Sequence, residues 1–346
     1  MTESRLLNLL KGKNVVYITV KNENYIRTKQ IKRILSENAG SFAVYSSEKG
    51  NPISRALDIK KRLRDISFEG VDVVIVGFLP QLIWKNVTNR VSGNSDVVLV
   101  AEMFLSVFDT VVLDRKLVWK NGMIARFCRK LDKRVVKEAD LVITDTNADI
   151  EYFAKEFGAD KDKFETLYLQ ADLDGILDNE PINDEKSAES KEVLYFGTGL
   201  PLQGTEYVAR AFKVLAEEHG YKCIYIGGLK GMSRDMRKTL LSCENRVVNK
   251  RKGCMVYHKW LGQNELYRQI SEAAVCLAGH FEPDIDKADR TIPGKAMIYE
   301  ALGKSMVLGD TKANRELFEP DNKHIFVPRG DFQRIVDAVI NREANL

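Results

Sequence analysis

Short apolar runs alternate along the chain with longer segments in which apolar residues recur at helical spacing. The first run, NVVYITV at 14–20, precedes a polar-rich segment that carries Ile26, Ile31, Ile34 and Leu35. A continuous Val/Ile/Leu run predicts a strand buried on both faces, and the spaced pattern predicts a helix that covers it. Further runs lie at 41–46, 71–78, 96–103 and 139–146. The pattern predicts an α/β fold with a parallel sheet.

The alternation stops at a polar segment and then restarts. Residues 177–191 are mostly polar or charged and contain a proline, which is typical of a linker. The strand runs resume at 192–199, 221–228, 255–262, 274–280, 305–310 and 324–328. We therefore predict a doubly wound domain at 1–176, a second at 192–330 and a terminal helix at 331–346. Because ligands of such folds bind outside the carboxyl ends of the strands, we expect a site on loops of both domains, which face each other across a cleft.

Charge and composition narrow the class of protein. The 346 residues carry a net charge of +4, which is mildly basic and does not favour a nucleic-acid partner. The first residues lack the apolar run of a signal peptide, and no stretch approaches the 18 apolar residues of a membrane span. Five cysteines without a CxxC pair and four dispersed histidines predict reduced thiols and no metal site. We therefore expect a cytoplasmic protein.

The stretch TIPGKAMIYEALGKSMVLGD, residues 291–310, combines a helix start with a buried strand. Pro293 suits a first helical turn, Gly294 permits close approach of the backbone, and the free amides of a helix start favour an anion. Lys295 adds a positive charge at the same point. These features predict a phosphate-binding site, and a solvated lysine on an ordinary helix is the evenly weighted alternative. Glu300 precedes Lys304 by four residues, which on its own indicates a surface ion pair.

Two further loops carry residue types that suit ligand binding. The first follows the strand that opens the second half, and its glycines would let backbone amides approach a ligand, although a plain strand–helix turn is equally compatible. The second follows a later strand and contains two suitable helix caps, which is the favoured interpretation of that segment alone. The residues are Gly197, Thr198 and Gly199 in the first loop, and Gly309, Asp310 and Thr311 in the second.

Residues 115–137 interleave basic and apolar side chains. Nine Lys or Arg stand against one Asp, and the apolar residues include Trp119. A basic amphipathic helix with an aromatic residue is typical of proteins that bind a membrane surface. The alternative is a core-packed helix with a solvated basic face, and it is slightly favoured because the helix also has a sheet to cover.

Three parts of the chain together resemble the retaining glycosyltransferases of family 4. VLYFGTGLPLQGTEYVARAF resembles the opening of their nucleotide-binding domain, and EADLVITDTNADIEYFAKEFG resembles the close of their N-terminal domain. IPGKAMIYEALGKSMVLGDTKANREL, followed by IFVPRGD, resembles their C-terminal signature. The resemblance spans much of 138–331. It implies a GT-B fold, in which two Rossmann-like domains hold the nucleotide-sugar donor in the C-terminal domain and the acceptor mainly in the N-terminal one.

The resemblance also implies roles for the residues singled out above. Lys295, with amides near Gly294 and Gly197–Thr198, would stabilise the departing nucleoside diphosphate. Glu300 would contact the nucleotide ribose. Trp260 would stack on the base or else pack in the core. The remaining expected donor contacts are Gly199, Pro293, Gly309, Asp310 and Thr311.

The chain departs from the family pattern at several positions. The family's two signature glutamates are separated by seven residues, but the first position is Ile292 here. Gln203 replaces a basic residue that commonly follows the FGTG-like turn. The glycine-rich loop after the first strand is replaced by VKNENYIRTK, in which Arg27 could supply a charge on the acceptor side. Asp109 is a second acceptor-side candidate, with a turn aspartate as its alternative.

The leading prediction is metal-independent, retaining transfer of a sugar from a nucleotide sugar to a glycan or a lipid-linked acceptor, in cell-surface polysaccharide synthesis. Residues 115–137 would then hold the enzyme at the inner face of the membrane. One alternative is a nucleotide-sugar epimerase, which would need more acid–base groups. The other is a non-catalytic GT-B partner subunit, which the missing glutamate and Gln203 support. We expect no metal and no cofactor besides the nucleotide-sugar substrate.

Overall fold

The computed structural model of the protein describes residues 4–171, 190–243 and 253–342. The chain divides into two compact units, Met1–Asp172 and Leu173–Leu346. Each unit contains one parallel sheet with helices, so the predicted two-domain α/β fold is confirmed. The predicted linker at 177–191 lies outside the described residues except for positions 190 and 191, and its bounds stay a prediction.

The first unit is a six-stranded parallel sheet in the order β2-β1-β3-β4-β5-β6. Its strands are β1 (Asn14–Thr19), β2 (Ser41–Tyr45), β3 (Val73–Gly77), β4 (Val98–Glu102), β5 (Leu141–Thr144) and β6 (Phe164–Thr166). Its helices are α1 (Arg5–Leu10), α2 (Ile26–Asn38), α3 (Pro52–Arg62), α4 (Trp84–Val91), α5 (Met123–Glu138) and α6 (Asn147–Phe157).

The second unit is also a six-stranded parallel sheet, in the order β12-β11-β10-β7-β8-β9. Its strands are β7 (Glu192–Gly197), β8 (Lys222–Gly227), β9 (Cys254–His258), β10 (Val275–Gly279), β11 (Met306–Gly309) and β12 (His324–Val327). Its described helices are α7 (Thr205–His219), α8 (Arg234–Ser242), α9 (Gln263–Glu272), α10 (Asp286–Arg290), α11 (Gly294–Ala301), α12 (Lys312–Leu317) and α13 (Phe332–Asn341).

The strand sequences explain why both faces of each sheet are covered. Successive side chains of a strand point to opposite faces. In β1 and β3, Val16 and Val74 enter one apolar cluster, while Val15 and Val73 enter another. The residues of β7 and β10 divide between two clusters in the same way. A strand with helices on both faces therefore has to be apolar at every position, which is the pattern of the sequence.

Each sheet has a point where the direction of its winding reverses. In the second unit, β8 and β9 are added on one side of β7, and β10 then pairs with its other side. In the first unit, the reversal lies between β1 and β3. Doubly wound sheets bind ligands at such switch points, outside the carboxyl ends of the strands. A ligand site in the second unit is therefore expected at the loops that follow β7 and β10.

The sequence pattern located eleven of the twelve strands, and the differences have local causes. It missed β6 (Phe164–Thr166), because three residues with polar neighbours give no apolar run. The helix predicted over 115–137 begins only at Met123, and residues 115–122 form no α-helix. Gly122 is its N-cap. The predicted terminal helix is present as α13.

Candidate functional site

The loop after β7 packs backbone against backbone on the loop after β8. The Gly228 amide donates to the Gly197 carbonyl at 3.0 Å. Gly199 has a φ of +72°, and a Cβ there would lie 2.9 Å from the Gly228 carbonyl oxygen. A larger residue at 199 would therefore be strained and crowded. The close packing of the two loops therefore explains the glycines without a ligand. The role of Gly197, Thr198 and Gly199 as donor contacts stays a prediction.

Gln203 organises the same loop from its inner side. Its side-chain oxygen accepts hydrogen bonds from the Tyr195 hydroxyl at 3.0 Å and from the amides of Gly199 and Leu200 at 3.2 and 3.3 Å. Lys and Arg side chains carry no acceptor, so neither could make these contacts. Gln203 therefore stabilises the loop in a way that a basic residue could not. The amides of Gly199 and Leu200 already have a hydrogen-bond partner within the chain.

Lys295 lies in the first turn of α11, directly beside this loop. Its side chain is buried, with 6% relative exposure, and its Nζ has no hydrogen-bond partner among the described residues. The Nζ is 4.0 Å from the centroid of the Tyr195 ring and 3.1 Å from the place a Cβ on Gly197 would occupy. Burial lowers the pKa of Lys295 from 10.5 to about 7. The alternative of a solvated lysine is therefore wrong.

The loop after β10 adds a residue that the sequence analysis did not select. His280 is buried, and its Nδ1 lies 3.1 Å from the Thr291 carbonyl oxygen. Since a carbonyl only accepts, Nδ1 carries the proton. Burial and the charge of Lys295 lower the pKa of His280 to about 3, so its ring is neutral at physiological pH. A lone histidine after an apolar run gives no sequence signal, and only the proximity of Lys295 brings it into the site.

The last residue of β11 and the two that follow it have internal partners. A Cβ on Gly309 would overlap the His280 carbonyl oxygen, so glycine is required for this approach of two loops. The Thr311 hydroxyl accepts a backbone N–H of α12 at 3.0 Å and caps that helix, as the favoured interpretation predicted. Asp310 is not the cap, and it pairs with Arg315 at 2.6 Å. The contacts of these three residues with a donor stay predictions.

The other predicted donor residues lie at the ends of elements or in solvent. Pro293 is the N-cap of α11 and not part of its first turn. The Glu300 carboxylate lies 2.7 Å from Nε2 of His324, while the ammonium of Lys304 is buried and donates to a backbone carbonyl at 2.9 Å. Trp260 is 78% exposed, so the alternative of a core tryptophan is wrong. Contacts of Glu300 and Trp260 with a nucleotide stay predictions.

In the first unit, the two predicted acceptor-side residues are buried and bonded. The Arg27 guanidinium donates to the side-chain oxygen of Gln30 and to the Leu167 carbonyl, both at 2.8 Å, and it pairs with the Asp145 carboxylate. Asp109 begins a π-helical turn, and its amide is bonded to a serine hydroxyl at 2.9 Å. Their contacts with an acceptor stay predictions, and the structure gives each residue a role within the fold.

Glu102 belongs to the same buried cluster as Arg27. It ends β4, and its Oε2 accepts a hydrogen bond from the Tyr17 hydroxyl at 3.1 Å. Burial raises the pKa of Glu102 to about 7, although the charge of Arg27 acts in the opposite direction. The carboxyl end of this central strand thus carries a carboxylic acid whose pKa burial raises.

Aromatic side chains line the carboxyl ends of β1 and β3. The Phe78 ring lies 5.4 Å from that of Tyr25 and 5.6 Å from that of Phe104, measured between centroids. The Lys21 ammonium is 4.7 Å from the centre of the Tyr25 ring. Phe78 and Leu79 have φ values of 36° and 56°, which cost energy for residues with a Cβ and cluster at functional sites. This edge is a second candidate site, which residue order alone did not reveal.

Three properties of the described ranges bear on the class of site. No group of three or more His, Cys, Asp or Glu side chains in those ranges is placed to hold a metal ion. The five cysteines are free thiols. None of the described helices is both long and apolar enough to cross a bilayer.

Comparisons with known proteins bear on the fold. No protein-family model matches the chain, and no curated protein matches it. Among solved structures, Anabaena HepE in complex with UDP and glucose is 13% identical, with 96% of this chain and 92% of that chain covered and a TM-score of 0.61. Sucrose-phosphate synthase from Thermosynechococcus elongatus is 12% identical, with 96% and 90% covered and a TM-score of 0.67.

An E. coli structure described as trehalose-6-phosphate bound with UDP-2-fluoro glucose is 11% identical, with 95% and 91% covered and a TM-score of 0.62. Sequence identity this low shows a shared fold and not a shared activity. The chain therefore has the two-domain α/β fold of these GT-B proteins.

Proposed function

We propose that the protein is a glycosyltransferase that uses a nucleoside diphosphate sugar, and that its donor site lies at the carboxyl edge of the second sheet. The observation that carries the proposal is the buried Lys295 ammonium, which has no hydrogen-bond partner among the described residues. A buried charge without a partner costs free energy, so proteins rarely retain one unless a ligand completes the site.

The chemistry of sugar transfer accounts for a cation at this place. The bond between the sugar C1 and the β-phosphate oxygen breaks, and its electron pair leaves with the diphosphate. C1 forms a bond to an acceptor hydroxyl oxygen, whose proton passes to the departing diphosphate oxygen. A fixed positive charge beside the β-phosphate stabilises the charge that develops there. The start of α11 adds the positive end of a helix dipole at the same point as Lys295.

The uncharged Gln203 and the buried Lys295 lie beside the same loop. Gln203 lacks the charge that the family commonly has after the FGTG-like turn, but Lys295 brings an ammonium to the same loop, 3.1 Å from the Cβ position of Gly197. The loop therefore keeps one cation, supplied by a different helix. We infer that Lys295 takes over the role of the basic residue that Gln203 replaces.

The finer assignments are parts of the same proposal. The neighbours with bound UDP or UDP-2-fluoro glucose favour UDP as the nucleotide. Following the family 4 resemblance, we propose a metal-independent transfer with retention at C1, with Glu300 on the ribose and Trp260 on the base. We place the acceptor, a glycan or a lipid-linked sugar of surface polysaccharide synthesis, at the aromatic edge of the first sheet, on the cytosolic side of the membrane.

The first test is thermal unfolding with UDP, GDP or ADP, for wild type and Lys295→Met. Ligand binding to the native state raises the melting temperature by mass action. We expect UDP to stabilise the wild type and Lys295→Met to lose that shift. The control is Lys213→Met, the same change at a half-buried lysine of α7, which should leave the shift intact. A folded wild type that responds to none of the three nucleotides would overturn the donor site and favour the non-catalytic partner subunit.

Product analysis then separates transfer from isomerisation. With a UDP-sugar and a glycan acceptor, a transferase releases UDP and extends the glycan. An epimerase converts the UDP-sugar and leaves the glycan unchanged. We expect the first outcome, because an epimerase would need more acid–base groups than the pair formed by Lys295 and the neutral His280.

A further inference from the structure

Five large apolar side chains are exposed within one short segment of the first unit. They have relative exposures between 59% and 86% and are Leu117, Trp119, Met123, Ile124 and Phe127. We call these five residues the apolar patch. Single exposed apolar residues are ordinary on protein surfaces, but a group of this size within eleven positions marks an interaction surface.

The core does not need these side chains. Helix α5 buries its other face, which includes Ala125, Cys128 and Val135. Met123, Ile124 and Phe127 lie together on the outer face of its first two turns, since residues three or four apart are neighbours on a helix. One face of the helix thus packs in the core, as the favoured interpretation predicted, while the other face stays apolar and exposed.

Basic side chains border the apolar patch. Exposed cations precede it, separate its members and follow it along α5, and they are Arg115, Lys116, Lys120, Arg126 and Lys130. In the ranges that the structure describes, none of these five forms an ion pair. The acid of the segment, Asp132, is buried and accepts hydrogen bonds from the Ser106 hydroxyl and the Phe108 amide, both at 2.8 Å. The surface therefore combines exposed apolar side chains with exposed positive charges.

We propose that this surface binds an anionic lipid bilayer, with the apolar patch in the headgroup region and the five cations on lipid phosphates. The surface needs an occupant that is negative and apolar at once, and an anionic membrane interface is both. Trp119 is the residue type that most favours that interface. A second copy of the same surface would bring five cations against five cations, so charge disfavours self-association.

This inference does not rest on the proposed function. Binding to lipid depends on the first unit, whereas the UDP response depends on Lys295 in the second, so the failure of one leaves the other intact. If both hold, the bilayer surface is where the enzyme would meet a lipid-linked acceptor.

Vesicle sedimentation tests the proposal on the full-length protein. The probes are vesicles of phosphatidylglycerol mixed with phosphatidylcholine, and vesicles of phosphatidylcholine alone. We expect at least about tenfold tighter binding to the anionic vesicles, with the affinity falling as salt is raised. We expect Trp119→Ser combined with Phe127→Ser, and separately Lys116→Glu combined with Lys130→Glu, to reduce binding by at least about tenfold.

Trp260→Ser is the matched control, because Trp260 is as exposed as Trp119 but lies in the second unit. It should bind vesicles like wild type. Equal binding to both vesicle types, or an equal loss in Trp260→Ser, would overturn the proposal. The proposal would also be overturned if the wild type bound no vesicles and the patch variants had a changed sedimentation coefficient. That result would identify the apolar patch as a protein interface. All replaced side chains are exposed, and unchanged melting temperatures would show that the variants fold.

Discussion

Two buried cations lie at the carboxyl ends of the two sheets, and they are treated differently. Arg27 in the first unit has a carboxylate, an amide oxygen and a carbonyl as partners. Lys295 in the second unit has a tyrosine ring beside it and no hydrogen-bond partner among the described residues. Residue type and location suggested functional roles for both. The hydrogen bonds distinguish them, because in the part of the chain that the structure describes only Arg27 has partners that balance its charge.

The difference teaches how to distinguish a structural ion from a site. A paired buried ion is expensive to break and gains little from a ligand. An unpaired one lowers the stability of the free protein and gains from any anion that reaches it. Arg27 therefore supports the first unit by joining α2 to the loops after β5 and β6. For Lys295 we propose a diphosphate as the missing partner.

Replacing Arg27 should produce the largest effect, and on stability alone. Arg27→Met leaves the Asp145 carboxylate and the Leu167 carbonyl without their donor, so we expect a loss of about 3–5 kcal/mol in the free energy of unfolding. Urea denaturation measures this loss. UDP affinity of the folded fraction should stay within about twofold of wild type, since the proposed nucleotide site lies in the other unit.

A second substitution at the partner tests whether pairing is the cause. Removing both charges in Arg27→Met combined with Asp145→Leu should recover much of the lost stability, because replacement of a whole ion pair is often neutral. If the double variant is as unstable as the sum of the two single ones, the ion pair is not the source of the effect.

Replacing Lys295 should act in the opposite direction. Because the pKa of Lys295 in the folded protein is about 7, below its ordinary 10.5, the free protein loses stability from this group as the pH falls from 10.5 to 7. Lys295→Met removes that cost, and we expect the unliganded variant to be more stable at pH 7 by roughly 1–3 kcal/mol. Urea unfolding without nucleotide measures this change. A destabilised Lys295→Met would mean that the ammonium has a favourable partner, and the site would lose its basis.

The sequence predicted what local pattern determines. Apolar runs located eleven strands, and the order Pro-Gly-Lys placed Lys295 at a helix start. Each of these patterns is formed by residues that are close together in the sequence. The burial of Lys295 had no such signal, because lysine is a residue type that is almost always exposed. Whether Arg27 is balanced depends on Asp145 and Leu167, more than a hundred positions away.

Other parts of the site were hidden for related reasons. His280 follows an apolar strand like any loop residue, and only its proximity to Lys295 in the fold makes it part of the candidate site. The left-handed backbone of Phe78 and Leu79 contradicts the preference of both residue types, so no propensity could predict it. The exposure of Trp119 and Phe127 was hidden because apolar residues are expected inside, and the pattern shows a stripe without showing what covers it.

A further prediction concerns the pH dependence of nucleotide binding, which tests whether Lys295 is the cation that meets the diphosphate. A bound diphosphate favours the charged ammonium and so raises the pKa of Lys295 above the value of about 7 in the free protein. Above pH 7 the free protein holds an increasingly neutral lysine, and UDP binding must take up a proton. Since the terminal phosphate has a second pKa near 6, its own charge is nearly constant from pH 7 to 9.

We therefore expect UDP affinity to fall between pH 7 and 9, by at most about tenfold per pH unit. Calorimetry measures the affinity, and a comparison of two buffers of different ionisation enthalpy measures the proton uptake. Lys295→Met should bind more weakly and without this slope. Arg27→Met should keep the slope of wild type, because a guanidinium does not titrate in this range and balances Asp145 rather than the nucleotide. A wild type whose UDP affinity is flat from pH 7 to 9 would show that Lys295 is not the group that meets the diphosphate, and the two buried cations would then no longer differ in the way proposed.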